Sequence, residues 1–305
     1  MLKIKFRAMG SQIEAITFTE SEQARELLVK VPGWFQEWEQ TLSRFLPDSE
    51  LTQLNLHPEK PVSVSETLWE VYCSALEMEK ESGGLVSPAL LRAMLASGYD
   101  RPFEQMALNS RTAWLEADIS NQLSTSDITA DPLTRVIFLP YGLQLDFGGI
   151  AKGWAANKAV ERLSAAGSAM VNAGGDIAIK NPSANDKKWT VGIVDPLNRE
   201  HFLCDLSVGS GGVATSGRDR RRWLQGDLER HHIIDPRTFQ PAQSDVFTAT
   251  VTAPTAVKAE MAAKTALILG SRAGLSWLEE RPDLAGYLVL ENGETIQTSN
   301  LKKYF

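Results

Sequence analysis

The chain opens with period-two alternation of apolar and polar residues over Leu2 to Met9, which predicts a β-strand that ends at Gly10-Ser11. Apolar residues then recur at helical spacing from Ser21 to Val31 and again from Trp34 to Leu42. Because Pro32-Gly33 separates these stretches, we predict two helices there. The aromatic residues of the second stretch share one helical face, which indicates core packing rather than contact with a cofactor.

Further along, the chain changes from helical to strand-like patterns. Periodicity predicts helices at Ser65–Glu81, Pro88–Ser97, Ala155–Ala166 and Ala256–Leu269. Runs of β-branched and aromatic residues predict strands at Val136–Leu139, Met170–Val171, Trp189–Val194, Phe202–Val208 and Phe247–Thr252. The strands cluster around a few helices without regular β-α-β alternation, so we predict an α+β fold. No stretch has the composition of a linker, and we therefore expect one domain over residues 1–305.

Composition and charge exclude several classes of protein. The 305 residues are 43% hydrophobic and 23% charged, as in an ordinary globular protein. A net charge of −7 disfavours nucleic acid and anionic membrane surfaces as partners. Cys73 and Cys204 are far apart and suggest reduced thiols. The beginning of the chain has no unbroken apolar run, so we expect no membrane insertion and a cytoplasmic protein.

Leu145 to Gly153, which we call the glycine seam, is the most informative segment. The pattern predicts that it runs from a strand into a helix that begins near Trp154. Glycines allow the backbone to approach a ligand closely, and the start of a helix offers N–H groups to a phosphate. The seam lacks the Walker and Rossmann spacings. It therefore predicts a phosphate site of another kind.

Two further glycine-rich turns lie at Asn172–Asp176 and Gly209–Gly217. Each could equally be a tight connection that requires a positive φ. The second contains Thr215 and Ser216, whose hydroxyl groups suit a phosphate or the edge of a flavin. A short basic cluster follows, which could meet phosphate locally or form a solvated loop: Arg218, Arg220, Arg221 and Arg222.

A pair of histidines, His231-His232, precedes an Asp235-Pro236 turn. Histidine is the natural general base near neutral pH. A structural histidine bonded to backbone explains the segment equally well. The sequence contains no Gly-x-Ser-x-Gly elbow and no Cys/His pair, which argues against a covalent acyl-enzyme.

Together these segments resemble the ApbE family of FAD:protein FMN transferases over nearly the whole chain. The resemblance is carried by Met9-Gly10-Ser11, Leu42-Ser43-Arg44-Phe45, Pro47 to Leu51 with Asn55, Asp146 to Gly153, Val171 to Asp176, Thr215-Ser216-Gly217 and His232 to Thr238. It implies an ApbE-like α+β fold, with mixed or antiparallel sheets, flanking helices and a flavin-nucleotide cleft. It also implies that FAD is split at its pyrophosphate, with Mg²⁺ bridging the phosphates, and that FMN is attached to a threonine or serine of an acceptor flavoprotein.

The resemblance further implies roles for individual residues. Met9 and Phe45 would flank the flavin or the adenine, and Ile234 would line the pocket. Asp146 would bond the cofactor and Lys152 would lie beside it. The carbonyl of Gly149 would face the metal. His232 is the candidate base for the acceptor hydroxyl.

The chain departs from the family at the helix that would bind the metal. An aspartate, followed four residues later by threonine or serine, is expected there, and this chain has Glu260 and Lys264. Glu260 can still supply an oxygen, but a protonated lysine cannot ligate Mg²⁺. Either Lys264 places its ammonium where the metal would sit and acts in catalysis, or the two residues form an ordinary i,i+4 ion pair. We favour the first interpretation because the remaining seam is intact.

Two other departures concern Leu85 to Pro88, which lacks an expected carboxylate, and Thr238-Phe239-Gln240, where glycine is expected after the threonine. Together with the change at the metal helix, these departures leave two alternatives to the transferase. One is a non-catalytic protein that binds a flavin nucleotide. The other is a hydrolase that splits the FAD pyrophosphate with water.

Overall fold

The computed structural model describes residues 1–106, 123–183 and 185–305. The strands are β1 (Leu2–Ala8), β2 (Ser11–Thr17), β3 (Pro61–Ser63), β4 (Thr129–Asp131), β5 (Val136–Phe138), β6 (Ala169–Ala173), β7 (Asp176–Lys180), β8 (Trp189–Val194), β9 (Phe202–Val208), β10 (Gly211–Gly217), β11 (Arg222–Gln225), β12 (Leu228–His231), β13 (Ile234–Asp235), β14 (Gln240–Pro241), β15 (Val246–Ala253), β16 (Ala285–Leu290) and β17 (Thr295–Gln297). The α-helices are α1 (Glu22–Leu42), α2 (Glu50–Leu56), α3 (Glu66–Glu81), α4 (Leu91–Ala96), α5 (Ala151–Leu163), α6 (Ala256–Leu269) and α7 (Ser271–Glu279).

These elements group into two compact units, each made from separate stretches of chain. The first unit comprises Met1–Phe35, Lys152–Asp219 and Ser244–Phe305, and the second comprises Gln36–Ala151 and Arg220–Gln243. The single-domain organisation stays a prediction. Both units mix helices with antiparallel strands, which confirms the predicted α+β class.

An antiparallel sheet organises the first unit, in the order β1-β2-β6-β7-β10-β15-β16-β17 among the described residues. The β1–β2 connection is a two-residue turn, in which Met9 and Gly10 have φ angles of 51° and 62°. Two consecutive positive φ values suit the right-handed twist of a hairpin. Helix α6 packs against β10 and β15. It begins after Thr255, whose hydroxyl accepts the N–H of Lys258 at 3.2 Å.

The second unit contains α2, α3 and α4, the three-stranded sheet β3-β5-β4, and the hairpins β11–β12 and β13–β14. Tyr99, Met106 and Trp223 form a buried cluster there, with Phe45 packed against it. Trp223 comes from the separate chain segment of this unit, so the cluster joins parts that are distant in sequence.

The sequence predicts two helices separated by Pro32-Gly33, but the structure has a single helix there. Helix α1 is continuous and contains Pro32. An interior proline costs about 3 kcal/mol because it removes a hydrogen bond and crowds the preceding turn. Val31, Phe35 and Trp38 are all buried at helical spacing, and burial of this face offsets the cost.

The glycine seam is not preceded by a strand, which corrects a second prediction. β5 ends at Phe138, and the backbone around Leu145 finds other partners. The N–H and carbonyl of Leu145 bond the side chain of Asn55, each at 2.8 Å, and the N–H of Asp146 donates to the carbonyl of Pro88 at 2.8 Å. Leu143, Leu145 and Phe147 are therefore buried at alternate positions although this segment pairs with no β-strand among the described residues.

Other boundaries agree with the predictions or differ by a few residues. Helix α6 and strands β8 and β9 have the predicted bounds, and α3 begins one residue late because Ser65 is its N-cap. Helix α4 is shorter than predicted, and α5 begins at Ala151 rather than near Trp154. Within the described residues, no helix has the length and apolar character needed to cross a membrane.

Candidate functional site

Asp146, at the start of the glycine seam, is held by two donors within the second unit. Its Oδ2 lies 2.8 Å from Nε of Arg44, and its Oδ1 accepts the N–H of Gly148 at 2.8 Å. The side chains of Arg44 and Asp146 are only 5% and 9% exposed. A carboxylate removed from water needs such charged partners. The contact to Gly148 also folds the seam into a tight turn before α5.

Arg44 joins the seam to the aromatic cluster. Its Nη2 donates to the carbonyl of Tyr99 at 2.8 Å. Its guanidinium lies 4.1 Å from the ring centroid of Phe45 and 4.6 Å from that of Tyr99. Tyr99 in turn stacks on Trp223, with centroids 5.3 Å apart. Phe45, predicted to flank a ring of the cofactor, is therefore fixed by cation–π contact and remains partly exposed.

The seam passes directly into helix α5. The N–H groups of Ile150 and Ala151 donate to the carbonyl of Phe147 at 2.9 and 2.7 Å. The predicted transition from a glycine-rich turn into a helix is thus present. Its N–H groups donate within the protein, since that of Gly148 bonds Asp146 and that of Gly153 bonds Glu260, and the phosphate site at these amides stays a prediction.

Two buried carboxylates and two partly buried lysines of the first unit form what we call the lysine cluster: Lys152, Asp176, Glu260 and Lys264. Nζ of Lys152 contacts Oδ2 of Asp176 and lies 3.1 Å from Oε1 of Glu260. Nζ of Lys264 lies 3.9 Å from the same oxygen. Oε2 of Glu260 accepts the N–H of Gly153 at 3.2 Å. The i,i+4 ion pair is therefore present, as part of a larger cluster that also holds Lys152.

The pKa values of the two carboxylates in the lysine cluster shift in opposite directions. Burial, followed by the charge of Glu260, raises the pKa of Asp176 to about 6, against the opposing effect of Lys152 and Lys264. Burial also acts to raise the pKa of Glu260. The two ammonium groups and the hydrogen bonds outweigh it, so the pKa of Glu260 lies below its ordinary value. As the pH falls, Asp176 therefore takes up a proton before Glu260 does.

The glycines at Asn172–Asp176 have a structural explanation. Gly174 and Gly175 form the two-residue turn of the β6–β7 hairpin, with φ angles of 69° and 108°. A Cβ on Gly174 would lie within 2.7 Å of the side chain of Ser11. The turn also places Asp176 at the first position of β7, where it meets Lys152.

Thr215 and Ser216 lie on β10, where the Thr215 hydroxyl is 2.9 Å from that of Thr250 and Ser216 is buried. The arginines of the basic cluster after β10 are divided between the two units. Arg218 donates to the carbonyls of Ser244 and Val246, which makes it a structural residue of the first unit. The remaining arginines belong to the second unit.

The two histidines have different surroundings in the second unit. Nε2 of His231 lies 3.0 Å from the carbonyl of Ala242, which is the backbone contact expected of a structural histidine. His232 follows the end of β12 in a bend and is half-buried. Ile233 and Ile234 are buried directly after it, which fixes the backbone at this point.

The Asp235-Pro236 turn forms as predicted. The N–H groups of Thr238 and Phe239 donate to the carbonyl of Asp235 at 3.1 and 2.8 Å. Phe239 has a φ of 55°, in the left-handed region that favours glycine. This backbone explains why glycine is the expected residue at the position.

Comparison with known proteins decides the family, because residues 9–288 match the ApbE family. The chain belongs to the ApbE family. The FAD:protein FMN transferase of Treponema pallidum (strain Nichols) is 31% identical over 261 residues, which cover 81% of this chain and 72% of that protein. The FAD:protein FMN transferase of Haemophilus influenzae is 27% identical over 276 residues, covering 86% and 78%.

Solved ApbE structures have the same fold. The ApbE protein of Thermotoga maritima superposes with a TM-score of 0.86 at 22% identity, covering 99% of this chain and 98% of that one. The flavin transferase ApbE of Vibrio cholerae superposes with a TM-score of 0.82 at 20% identity, covering 100% and 99%. These likenesses confirm the ApbE-like fold of the chain.

The ApbE resemblance implies a magnesium ion at α6, but the residues there do not suit one. Mg²⁺ requires oxygen ligands at about 2.1 Å in octahedral geometry. Both oxygens of Glu260 already accept hydrogen bonds, and the ammonium of Lys264 stands at the second expected ligand position. Among the described residues, no group of three or more His, Cys, Asp or Glu side chains could hold a metal ion. The role of Gly149 as a metal-facing carbonyl stays a prediction.

Two buried charged residues, Arg44 and Asp176, are absent from the set predicted from the sequence. Both stand inside segments that carry the ApbE resemblance, next to Phe45 and Gly175 respectively. The presence of a charged residue within such a segment is the sequence signal that could have identified them as site residues. Its burial and its partners are visible only in the folded chain.

Proposed function

We propose that this chain is an FAD:protein FMN transferase. It would cleave the pyrophosphate of FAD and attach FMN to a threonine or serine hydroxyl of an acceptor flavoprotein. The observation that carries the proposal is the match to the ApbE family over residues 9–288, together with 31% identity to a transferase of this name.

The reaction needs a base and positive charge rather than a covalent intermediate. The acceptor oxygen forms a bond to the phosphorus of the FMN half, and the bond from that phosphorus to the bridging oxygen breaks. AMP leaves with the electron pair, and the hydroxyl proton passes to the base. Positioning and charge neutralisation supply most of the acceleration in such transfers.

We assign the base to His232. An imidazole titrates near neutral pH and can take the hydroxyl proton. Both ring nitrogens of the adjacent His231 lie against backbone groups, those of Ala242 and Ile233, and His232 begins the segment that carries the ApbE resemblance. Ile233 and Ile234 are buried next to it, and the carbonyl of Ile233 accepts the N–H of Ala242 at 2.9 Å, so burial and a backbone bond hold the chain beside the imidazole.

The other site residues keep the roles implied by the family. Met9, half-buried at the β1–β2 turn, and Phe45 would flank a ring of FAD, and Ile234 would line the pocket. Thr215 and Ser216 would donate to a phosphate or to the flavin edge. Asp146 and Lys152 would contact the cofactor at the two ends of the seam.

Incubation with FAD and a candidate acceptor flavoprotein tests the activity. We expect flavin fluorescence that stays with the acceptor after acid precipitation, and one AMP released per flavin attached. His232→Ala should lower the rate at least about a hundredfold, the usual contribution of general base catalysis. His201→Ala is the matched control, because His201 is exposed, and it should retain the wild-type rate.

The two alternatives give different products. A binding protein would retain FAD and release no AMP. A hydrolase would release FMN and AMP at the same rate with and without acceptor. Either result, obtained with a folded protein and several acceptors, would refute the transferase.

We place the reaction in the cytoplasm. Cys73 and Cys204 are both free thiols, which suits a reducing compartment. Fractionation of cells that produce the native chain would test this, and recovery outside the cytoplasmic fraction would contradict it.

A further inference from the structure

Two ammonium groups of the first unit converge on one buried carboxylate oxygen. Oε1 of Glu260 lies 3.1 Å from Nζ of Lys152 and 3.9 Å from Nζ of Lys264. The Glu260 side chain is 4% exposed, whereas the lysines are 14% and 17% exposed. The carboxylate therefore lies deeper than the two cations that it holds, and the cations are the part of the lysine cluster that water reaches.

Glu260 is fixed in this position by the start of α5. Its Oε2 accepts the N–H of Gly153 at 3.2 Å. A Cβ at Gly153 would lie 3.0 Å from that oxygen and 3.1 Å from the carbonyl of Ala256, so a side chain there would force these groups to move apart by a few tenths of an ångström. Turning Glu260 towards a metal would break its contacts with both Gly153 and Lys152.

A divalent cation bound to Oε1 of Glu260 would have to compete with two ammonium groups for that oxygen. At the usual Mg²⁺–oxygen distance of about 2.1 Å, the ion would stand beside the ammonium groups of both Lys152 and Lys264. Two lysines together carry the same formal charge as one divalent ion. A lysine ammonium also binds phosphate well, as a compact point charge.

We propose that Lys152 and Lys264 supply the positive charge at the FAD pyrophosphate, so that this chain transfers FMN without a divalent metal. Glu260 acts as a positioning residue that holds both ammonium groups. The proposal rests on the proposed function, since it takes FAD as the ligand. The bonds made and broken are those given above, and the lysines keep their protons throughout.

Binding of FAD, followed by flavin fluorescence, gives the first test. We expect the wild-type dissociation constant to be the same within about twofold in EDTA and in MgCl₂. Lys264→Met should weaken FAD binding about tenfold or more, the usual effect of losing a charge-assisted hydrogen bond. Lys264→Arg should restore most of the affinity. Lys258→Met, on the same helix outside the lysine cluster, is the matched control.

Riboflavin binding separates a role at the phosphates from a general effect on the pocket. Because riboflavin has no phosphate, Lys264→Met should bind it as the wild type does. Equal weakening of riboflavin and FAD would overturn the proposal. If Lys264→Met does not fold, as judged by circular dichroism and thermal unfolding, Lys264→Gln replaces it.

Metal binding to the wild type gives an independent test that requires no variant. Mn²⁺ titrated into the protein, and followed by electron paramagnetic resonance, should show no stoichiometric site, with FAD or without it. One bound Mn²⁺ per chain, or FAD binding that disappears in EDTA, would overturn the inference. These binding results stand even if no acceptor is ever flavinylated, so failure of this proposal can be told from failure of the proposed function.

Discussion

The buried charged side chains of this protein are stabilised by ion pairs and hydrogen bonds. Arg44 and Asp146 pair with each other and with backbone groups, and Glu260 is surrounded by donors. Each of these charges would be costly alone in a medium of low polarity. The residues that carry the proposed chemistry are therefore also residues on which local stability depends.

Loss of Arg44 should destabilise the protein markedly. Arg44→Met leaves the carboxylate of Asp146 buried without its main partner, and we expect the free energy of unfolding to fall by about 3 kcal/mol in urea titrations. Arg101→Met is the control, because its pair with Asp100 is 49% and 38% exposed, and it should change stability by about 0.5 kcal/mol or less. Equal losses in the two variants would contradict the importance of the buried pair.

The raised pKa of Asp176 predicts a pH-dependent contribution to stability. Lys152, Glu260 and Lys264 face this carboxyl, and its pKa is about 6 in the folded chain but about 3.9 in the unfolded chain. The folded state thus binds more protons between these values. The contribution of Asp176 is fully present below the unfolded pKa and is lost as the pH rises through about 6.

Asp176→Asn, which resembles the protonated form, measures this contribution. Relative to wild type, the free energy of unfolding of the variant should increase from pH 4 to pH 7, by an amount on the order of 2 kcal/mol. The exposed Asp48→Asn serves as the control and should show no such trend. A constant difference between Asp176→Asn and wild type over that interval would refute the assignment.

Among helices and strands, the contact of α6 with β10 decides where Glu260 and Lys264 stand. At Gly212 of β10, a Cβ would lie 2.2 Å from the backbone N of Ala256. The first turn of α6 can approach the sheet only because this side chain is absent. The sequence of a distant strand therefore fixes the helix that carries half of the lysine cluster.

Gly212→Ala should push α6 away from the sheet. Its Cβ would meet backbone atoms that cannot turn aside, and we expect a loss of about 2 to 3 kcal/mol in the free energy of unfolding. Gly209→Ala, two residues before β10, is the control, because nothing lies within 4 Å of its Cβ. Similar stability of both variants would show that α6 moves without cost.

At the scale of the whole molecule, the second unit is formed by two segments that are far apart in the sequence. Trp223, from the segment Arg220–Gln243, stacks on Tyr99 and donates its indole N–H to the carbonyl of Ser97 at 2.7 Å. A fragment that lacks Trp223 would leave Tyr99 exposed and the Ser97 carbonyl without this donor. Neither segment of the unit contains the full core.

This discontinuity predicts how fragments behave. Residues 36–151 alone should show no cooperative thermal transition in near-ultraviolet circular dichroism, because burial of Trp223 is missing. A fusion of 36–151 to 220–243 through a flexible linker should regain one. Trp223→Ala in the fusion should remove the transition again. A cooperative transition in residues 36–151 alone would contradict the prediction.

The sequence by itself determined features that depend on near neighbours. Periodicity predicted α3 and α6, runs of β-branched and aromatic residues predicted β8 and β9, and adjacent glycines marked the β6–β7 turn. The ordered motifs also determined the family, because several short segments in one order are specific together. Such signals act within a few residues, so they survive without knowledge of the fold.

The tertiary structure decided whatever depends on distant partners. It kept α1 continuous through Pro32, and it satisfied the backbone of Leu145 without a strand. It also brought Lys152 to Glu260, 108 positions apart in the chain. Burial is set by all the elements that pack around a residue, and with it the strength of a charge or the cost of a proline. The local pattern could therefore pair Lys264 with Glu260 on one helix, but only the fold could bring Lys152 and Asp176 to them.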